Sequence, residues 1–207
     1  MRVSSNRDID KSVIISQADG GSMDIGPEAE SRSLLQFFMM SGRLKAEMRR
    51  GWVKKLGMAR PESVADHSYR TALITMIFSD SQGLDTAKAL RLALLHDLPE
   101  AIVGDAMPEE RSGKRKLEME TKAMQELLSE LSKEQKALYL EAWHEFIDGK
   151  TPEARLVRQA DKLEMAIQAW EYANERGDPS LAKEFWASAR GQIEDAALLE
   201  ILWKVEP

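Results

Sequence analysis

Residues 85–105 read DTAKALRLALLHDLPEAIVGD. Asp85 is placed as an N-terminal cap, and Ala87, Leu90, Leu94 and Leu95 then recur with helical spacing up to His96-Asp97. Pro99 and Gly104 interrupt the pattern, which predicts an irregular loop within residues 99–113. If the helix continues past Pro99, Glu100 lies four residues beyond His96, so three titratable groups crowd one helix end.

The same period extends in both directions. Ser63 with Asp66 caps a helix over Val64 to Phe78, and Leu34, Leu35, Phe37, Phe38, Met39 and Leu44 mark an earlier one that ends near Gly51. Downstream, helical character resumes near Lys114, and Ser132 with Gln135 forms a capping box for a helix through Trp143 and Phe146. Thr151-Pro152-Glu153 combines cap, first-turn proline and first-turn acid, opening a helix that runs to about Arg176 and stops at Gly177. Shorter helices follow near 180–190 and 192–204. No segment alternates with period two and no repeat is present, so the fold class is all-α, with one domain over residues 33–207. Residues 1–32, rich in Ser, Gly, Asp and Glu around one apolar cluster at Val13-Ile14-Ile15, are expected to be a loosely ordered leader.

A chain of 207 residues is one ordinary domain. Its 29 Lys and Arg against 35 Asp and Glu give a net charge of −6, which argues against a grip on a nucleic acid polymer. That balance is uneven. Residues 43–60 carry seven basic side chains against the single acid Glu47, a local +6, so the remainder carries −12. Such a run is either a solvated basic face or a site for a small anion. The absence of cysteine removes disulfides, thiolate metal sites and thiol nucleophiles. No apolar run is long enough for a secretory signal or a membrane span, and the expectation is a cytoplasmic protein.

Polar residues on apolar faces carry the chemistry. His67 lies on the stripe Val64, His67, Thr71, Ile74, Phe78, and Asp161 lies between Val157 and Met165. A buried carboxylate requires a partner. One divalent cation shared by His67, His96, Asp97 and Asp161 satisfies all four groups; Mn, Co, Fe, Ni, Zn or, less well, Mg accept such N and O ligands. Separate salt bridges satisfy them as well, and periodicity alone leaves both open. His144 sits among charged neighbours and receives no role. The eleven methionines fall mostly at apolar helical positions and read as core filler.

ESVADHSYR (62–70), ALLHDLPEAIVGD (93–105) and QADKLEM (159–165) together resemble the H…HD…D signature of HD-domain metal-dependent phosphohydrolases. RRGWVKKLGMARPESVADH (49–67) with HDLPEAIVGD is similar to the 5'-deoxynucleotidase branch, from about Leu34 to the last helices. The resemblance implies a compact helical HD fold, a divalent metal on His67, His96, Asp97 and Asp161, hydrolysis of deoxyribonucleoside 5'-monophosphates, and a homodimer. Residue by residue, Glu100 matches a catalytic glutamate and Asp105 the start of a substrate-contacting loop. Arg49 or Arg50 matches the arginine that orients phosphate, and Trp52 the tryptophan beside the sugar. Pro99 departs from the family, which more often has a small residue there; it removes an amide donor next to Glu100.

Phosphate monoester hydrolysis needs neutralising charge, an activated water and a proton for the leaving alkoxide. The metal answers the first two needs, a guanidinium from Arg49 or Arg50 adds a phosphate contact, and Glu100 at the water with Asp105 at the leaving group or substrate orientation answers the proton transfers. The alternatives are an HD phosphohydrolase or phosphodiesterase acting on another phosphate ester, a non-catalytic nucleotide-binding module, and a helical scaffold.

Overall fold

A computed structural model describes residues 27–105 and 113–207. Among these residues every regular element is a helix, joined by turns and loops, with one isolated antiparallel bridge between Met48 and Ser63. The helices are α1 (Pro27–Ser41), α2 (Arg50–Leu56), α3 (Val64–Gln82), α4 (Thr86–Leu95), α5 (Glu100–Val103), α6 (Gly113–Leu127), α7 (Lys133–Asp148), α8 (Pro152–Arg176), α9 (Lys183–Arg190) and α10 (Ala196–Leu202). Short 3-10 turns follow α1, α6 and α10 and precede α9.

The local signals act at their expected places. Ser63 and Asp66 exchange both capping-box hydrogen bonds at the start of α3, Ser132 and Gln135 do so for α7, and Thr151 caps α8 with Pro152 in its first turn. Asp85 accepts from Lys88 N–H at the start of α4. α4 ends at Leu95, so His96-Asp97 stand in the turn that leads into α5.

Two boundaries differ from expectation. α1 begins at Pro27, because proline suits the first helical position and Glu28 and Glu30 complement the helix dipole; residues 28–32 are exposed, and residues 1–26 lie outside the described residues. Gly51 sits inside α2 rather than ending a helix. Burial of Trp52 in that turn outweighs the cost of a helical glycine, about 1 kcal/mol. Residues 106–112, within the segment expected to be irregular, also lie outside the described residues.

α8 is the axis of the molecule, packing on α3, α4, α7, α9 and α10. It contributes to three apolar clusters: Ala154 and Val157 with Leu92, Met124, Leu127 and Trp143; Leu156 and Leu163 with Leu198 and Leu202; Ala169 and Tyr172 with Trp52 and Phe185. Each fully buried leucine contributes about 1.5–3 kcal/mol. Asp161 and Glu164, two polar residues on the side of α8 that meets α3, both reach His67. His144 is exposed. The methionines divide, with Met40 and Met124 buried and Met39 and Met48 exposed, so core filling accounts for only part of them.

Candidate metal centre

His67 comes from α3, His96 and Asp97 from the turn after α4, and Asp161 from the middle of α8. Packing of those three elements brings donor atoms of His67, His96 and Asp97 within 4.8 Å of one another. His96 Nε2 lies 3.1 Å and His67 Nε2 3.7 Å from Asp97 Oδ2, and Asp161 Oδ1 lies 3.2 Å from His67 Nε2.

The hydrogen bonds on the far side of each ring decide what those nitrogens offer. His96 Nδ1 faces the Ala93 carbonyl at 2.6 Å, an acceptor only, so Nδ1 carries the hydrogen. His67 Nδ1 donates to Glu164, whose second oxygen receives Arg70 Nε–H at 3.0 Å. Both rings therefore spend Nδ1 on an outer partner and turn Nε2 inward, and neither Nε2 has a hydrogen-bond partner. Two orphaned buried imidazole nitrogens beside two carboxylates fit a divalent cation of the N,O-preferring group.

The electrostatics of the site favour positive charge. Burial and Arg49 oppose charge on His67, but Asp161 and Glu164 outweigh them and push it up to about 10. Burial likewise opposes ionisation of Asp97 and Asp161; His96 and Arg49 for the first, Lys162 and His67 for the second, hold both well below the ordinary carboxylate range. Arg49 Nη1 donates to Asp97 Oδ2 at 3.2 Å, and the surrounding carboxylates overcome its burial to keep it charged.

The cluster adjoins a cavity of about 640 Å³, within the size range of small-molecule sites. Arg49, His96, Asp97, Glu100, Asp105 and Asp161 all line it. Glu100 is 4 % exposed, and its Oε2 has no hydrogen-bond partner. Burial, with Asp97 and Asp105 beside it, raises this carboxyl to about 9.

The substrate-side residues separate in space. Arg49 points into the cavity, whereas Arg50 offers its backbone N–H to Asp105 Oδ2 at 2.6 Å and its guanidinium to the Asp105 carbonyl at 3.5 Å. Asp105 N–H in turn donates to Glu47 at 3.0 Å, so Asp105 ties the end of α5 to the start of α2. Trp52 lines the cavity with only 2 % of its surface exposed. Its Nε1–H donates to Glu62 at 2.8 Å, and its ring stacks at a tilt on Phe185 and edge-on to Tyr172.

Several cavity and supporting residues escaped the sequence reading. Lys162, paired with Asp161 at 2.9 Å, and Lys116, paired with Glu120 at 3.4 Å, add basic groups to the wall. Phe146 packs edge-on to His96, with ring centroids 5.6 Å apart. Glu164 and Arg70 lie three residues beyond Asp161 and His67, the spacing of one helix face, and that was the signal available for them.

Known proteins resemble this chain over most of its length. The human 5'-deoxynucleotidase HDDC2 is 36% identical over 177 residues, covering 85% of this chain and 86% of its own. The 5'-deoxynucleotidase hdd1 of Schizosaccharomyces pombe is 36% identical over 169 residues, covering 77% of this chain and 82% of its own. A conserved hypothetical protein from Pyrococcus furiosus superposes with a TM-score of 0.69 at 37% identity, covering 83% of this chain and 98% of that one. The HD domain family model matches residues 41–200, a span that holds both histidines and both aspartates of the cluster. The chain belongs to the HD domain family.

Proposed function

We propose that this protein is a metal-dependent 5'-deoxynucleotidase that hydrolyses deoxyribonucleoside 5'-monophosphates to deoxynucleoside and phosphate. The observation that carries the reading is the pair of unpartnered inward Nε2 atoms on His67 and His96 clustered with Asp97, where His96 and Asp97 line a nucleotide-sized cavity. The relatives named as 5'-deoxynucleotidases over most of the chain's length support the substrate class.

His67, His96, Asp97 and Asp161 hold the cation. When bound, it supplies positive charge to the phosphoryl oxygens and acidifies the water nucleophile. Arg49 contributes a rigid guanidinium fork, turning from Asp97 toward the phosphate and fixing its orientation. Glu100 holds a proton on a buried carboxyl at neutral pH and delivers it to the leaving 5' oxygen. This moves Glu100 from the water, where the expectation put it, to the leaving group; of the two roles expected for Asp105, leaving group or substrate orientation, its engagement by the Arg50 backbone favours the second. Trp52 presents an indole edge to the sugar, where a 2'-hydroxyl would find neither room nor partner.

The cation is Mn, Co, Fe, Ni, Zn or Mg, and the working compartment is the cytoplasm; among the described residues no helix is long and apolar enough to cross a membrane. A homodimer is supported by the exposed stripe Tyr69, Leu73 and Ile77 on α3, spaced four residues apart.

The test is phosphate release from dAMP, dTMP and AMP with Mn, Co or Mg added to metal-stripped protein. Turnover of the deoxynucleotides with at least one metal, well above that of AMP, is the expected result. Equal turnover of all three, or none with any metal, would overturn it.

A further inference from the structure

We infer that Glu164, clamped by Arg70, is a positioning residue that fixes which nitrogen of His67 faces the cation. The inference rests on the reading that His67 is a ligand. Glu164 is a completely buried carboxylate in the middle of α8, and a buried carboxylate is destabilising unless both oxygens are satisfied. One oxygen takes the His67 Nδ1–H; the other takes Arg70 Nε–H at 3.0 Å, with Arg70 Nη2 2.9 Å away.

Arg70 is itself fixed. Its Nη1 donates to both oxygens of Glu171 at 2.8 Å, and its Nη2 donates to Gln168 at 2.6 Å. The sequence spacing explains the column: His67 and Arg70 are one turn apart on α3, while Asp161, Glu164, Gln168 and Glu171 follow one face of α8. An Arg70 fork on one oxygen keeps Glu164 an acceptor at the other, so Nδ1 keeps its hydrogen and Nε2 is the nitrogen left to face a cation.

The two histidines are supported differently. His96 leans on the neutral carbonyl of Ala93, whereas His67 leans on an anion, which makes its imidazole the stronger donor to a cation. Loss of such an outer partner typically costs about 10–100-fold in metal affinity.

The experiment titrates Mn2+ and Co2+ into metal-stripped wild type, Glu164→Gln and His96→Gln by calorimetry, and records the visible spectrum of each Co(II) form. The expected result is Mn2+ binding about 10–100-fold weaker in Glu164→Gln, with a shifted Co(II) spectrum. A merely structural Glu164 would change the unfolding temperature of the stripped protein while Kd and spectrum stay at wild-type values, and that result overturns the inference. If Glu164→Gln does not fold, Arg70→Lys tests the same clamp one step out, since it keeps the charge and loses the fork; unchanged Kd and spectrum there also overturn it. Loss of binding in His96→Gln with none in Glu164→Gln removes the positioning role alone. Wild-type binding in His96→Gln removes the metal reading and the inference with it.

Discussion

Trp52→Phe separates the packing role of this residue from its contact with substrate. The indole Nε1–H donates to Glu62 at 2.8 Å, and at pH 8 that carboxyl is an ionised acceptor, because burial and Glu164 push it only to about 7. Losing a hydrogen bond to a charged group costs about 1.5–3 kcal/mol. The smaller ring also leaves a void beside Phe185, whose centroid is 4.4 Å away, and beside Tyr172 at 5.4 Å; this adds roughly 1 kcal/mol. The sum, about 2.5–4 kcal/mol, corresponds to a fall of roughly 5–16 °C in Tm for a chain of this size. Thermal unfolding of Trp52→Phe, Glu62→Ala and the double variant at pH 8 isolates the pair, with an expected coupling of about 1–3 kcal/mol. Coupling below about 0.5 kcal/mol would refute the claim that Glu62 locks the indole. The same variant is assayed on dAMP and AMP. If the indole edge excludes a 2'-hydroxyl, the ratio of kcat/KM values falls toward one; an unchanged ratio makes Trp52 a core anchor only.

Other outcomes follow from the same geometry. Glu100→Gln should lower kcat by about 10²–10⁴ while Mn2+ affinity stays near wild type and the metal-free Tm at neutral pH does not fall, because a neutral amide replaces a carboxyl already held neutral by burial and loses no stability as pH rises; retained kcat would remove Glu100 from proton transfer. Metal-free protein should lose stability as pH rises. Glu100 has its folded value raised from 4.5 to about 9, so the native state keeps a proton that the unfolded chain releases above 4.5, and the corresponding stability fades through pH 9. His67, raised from 6.5 to about 10, acts in the same direction above pH 6.5, while the lowered Asp97 and Asp161 contribute above 3.8 and fade on acidification. Melting curves from pH 5 to 9 with EDTA should therefore decline, and added Mn2+ should flatten them; a Tm that climbs with pH under EDTA contradicts the assignment. Gly149→Ala forces a side chain at φ +66°, where its Cβ would sit 2.5 Å from the Arg158 guanidinium. That guanidinium holds the carbonyls of Phe146, at 3.0 Å, and Ile147. A loss of about 2–3 kcal/mol in urea unfolding is expected, and a change under 0.5 kcal/mol would show that Arg158 moves aside without cost.

The legible parts of the chain were those settled within one helical turn. Ser63 with Asp66, Ser132 with Gln135, Thr151-Pro152 and Gly177 mark helix ends because a cap satisfies backbone groups only a few residues away. The start of α1 was missed because residues 28–32 are exposed and carry no apolar period. Gly51 was misread as a break because intrinsic propensity, worth about 1 kcal/mol, yields to burial of Trp52 next to it. At the site, His67 and Asp161 were visible as polar groups on apolar faces. Arg49 and Arg50 were indistinguishable in sequence, since neighbouring side chains differ only in direction, and the tertiary structure sends one guanidinium to Asp97 and the other to the Asp105 carbonyl.

The sequence by itself determined the helices and which of their faces had to be buried, because both depend on spacings of three and four residues. It also identified polar groups that would need partners once buried. Only the tertiary structure decided who those partners are. The docking of α3 on α8 pairs His67 with Glu164 and Asp161, and the turn after α4 adds His96 and Asp97. Periodicity fixes an angle around one helix axis, whereas a metal centre requires several axes to be placed relative to one another, and the apolar contacts of α8 supply that placement.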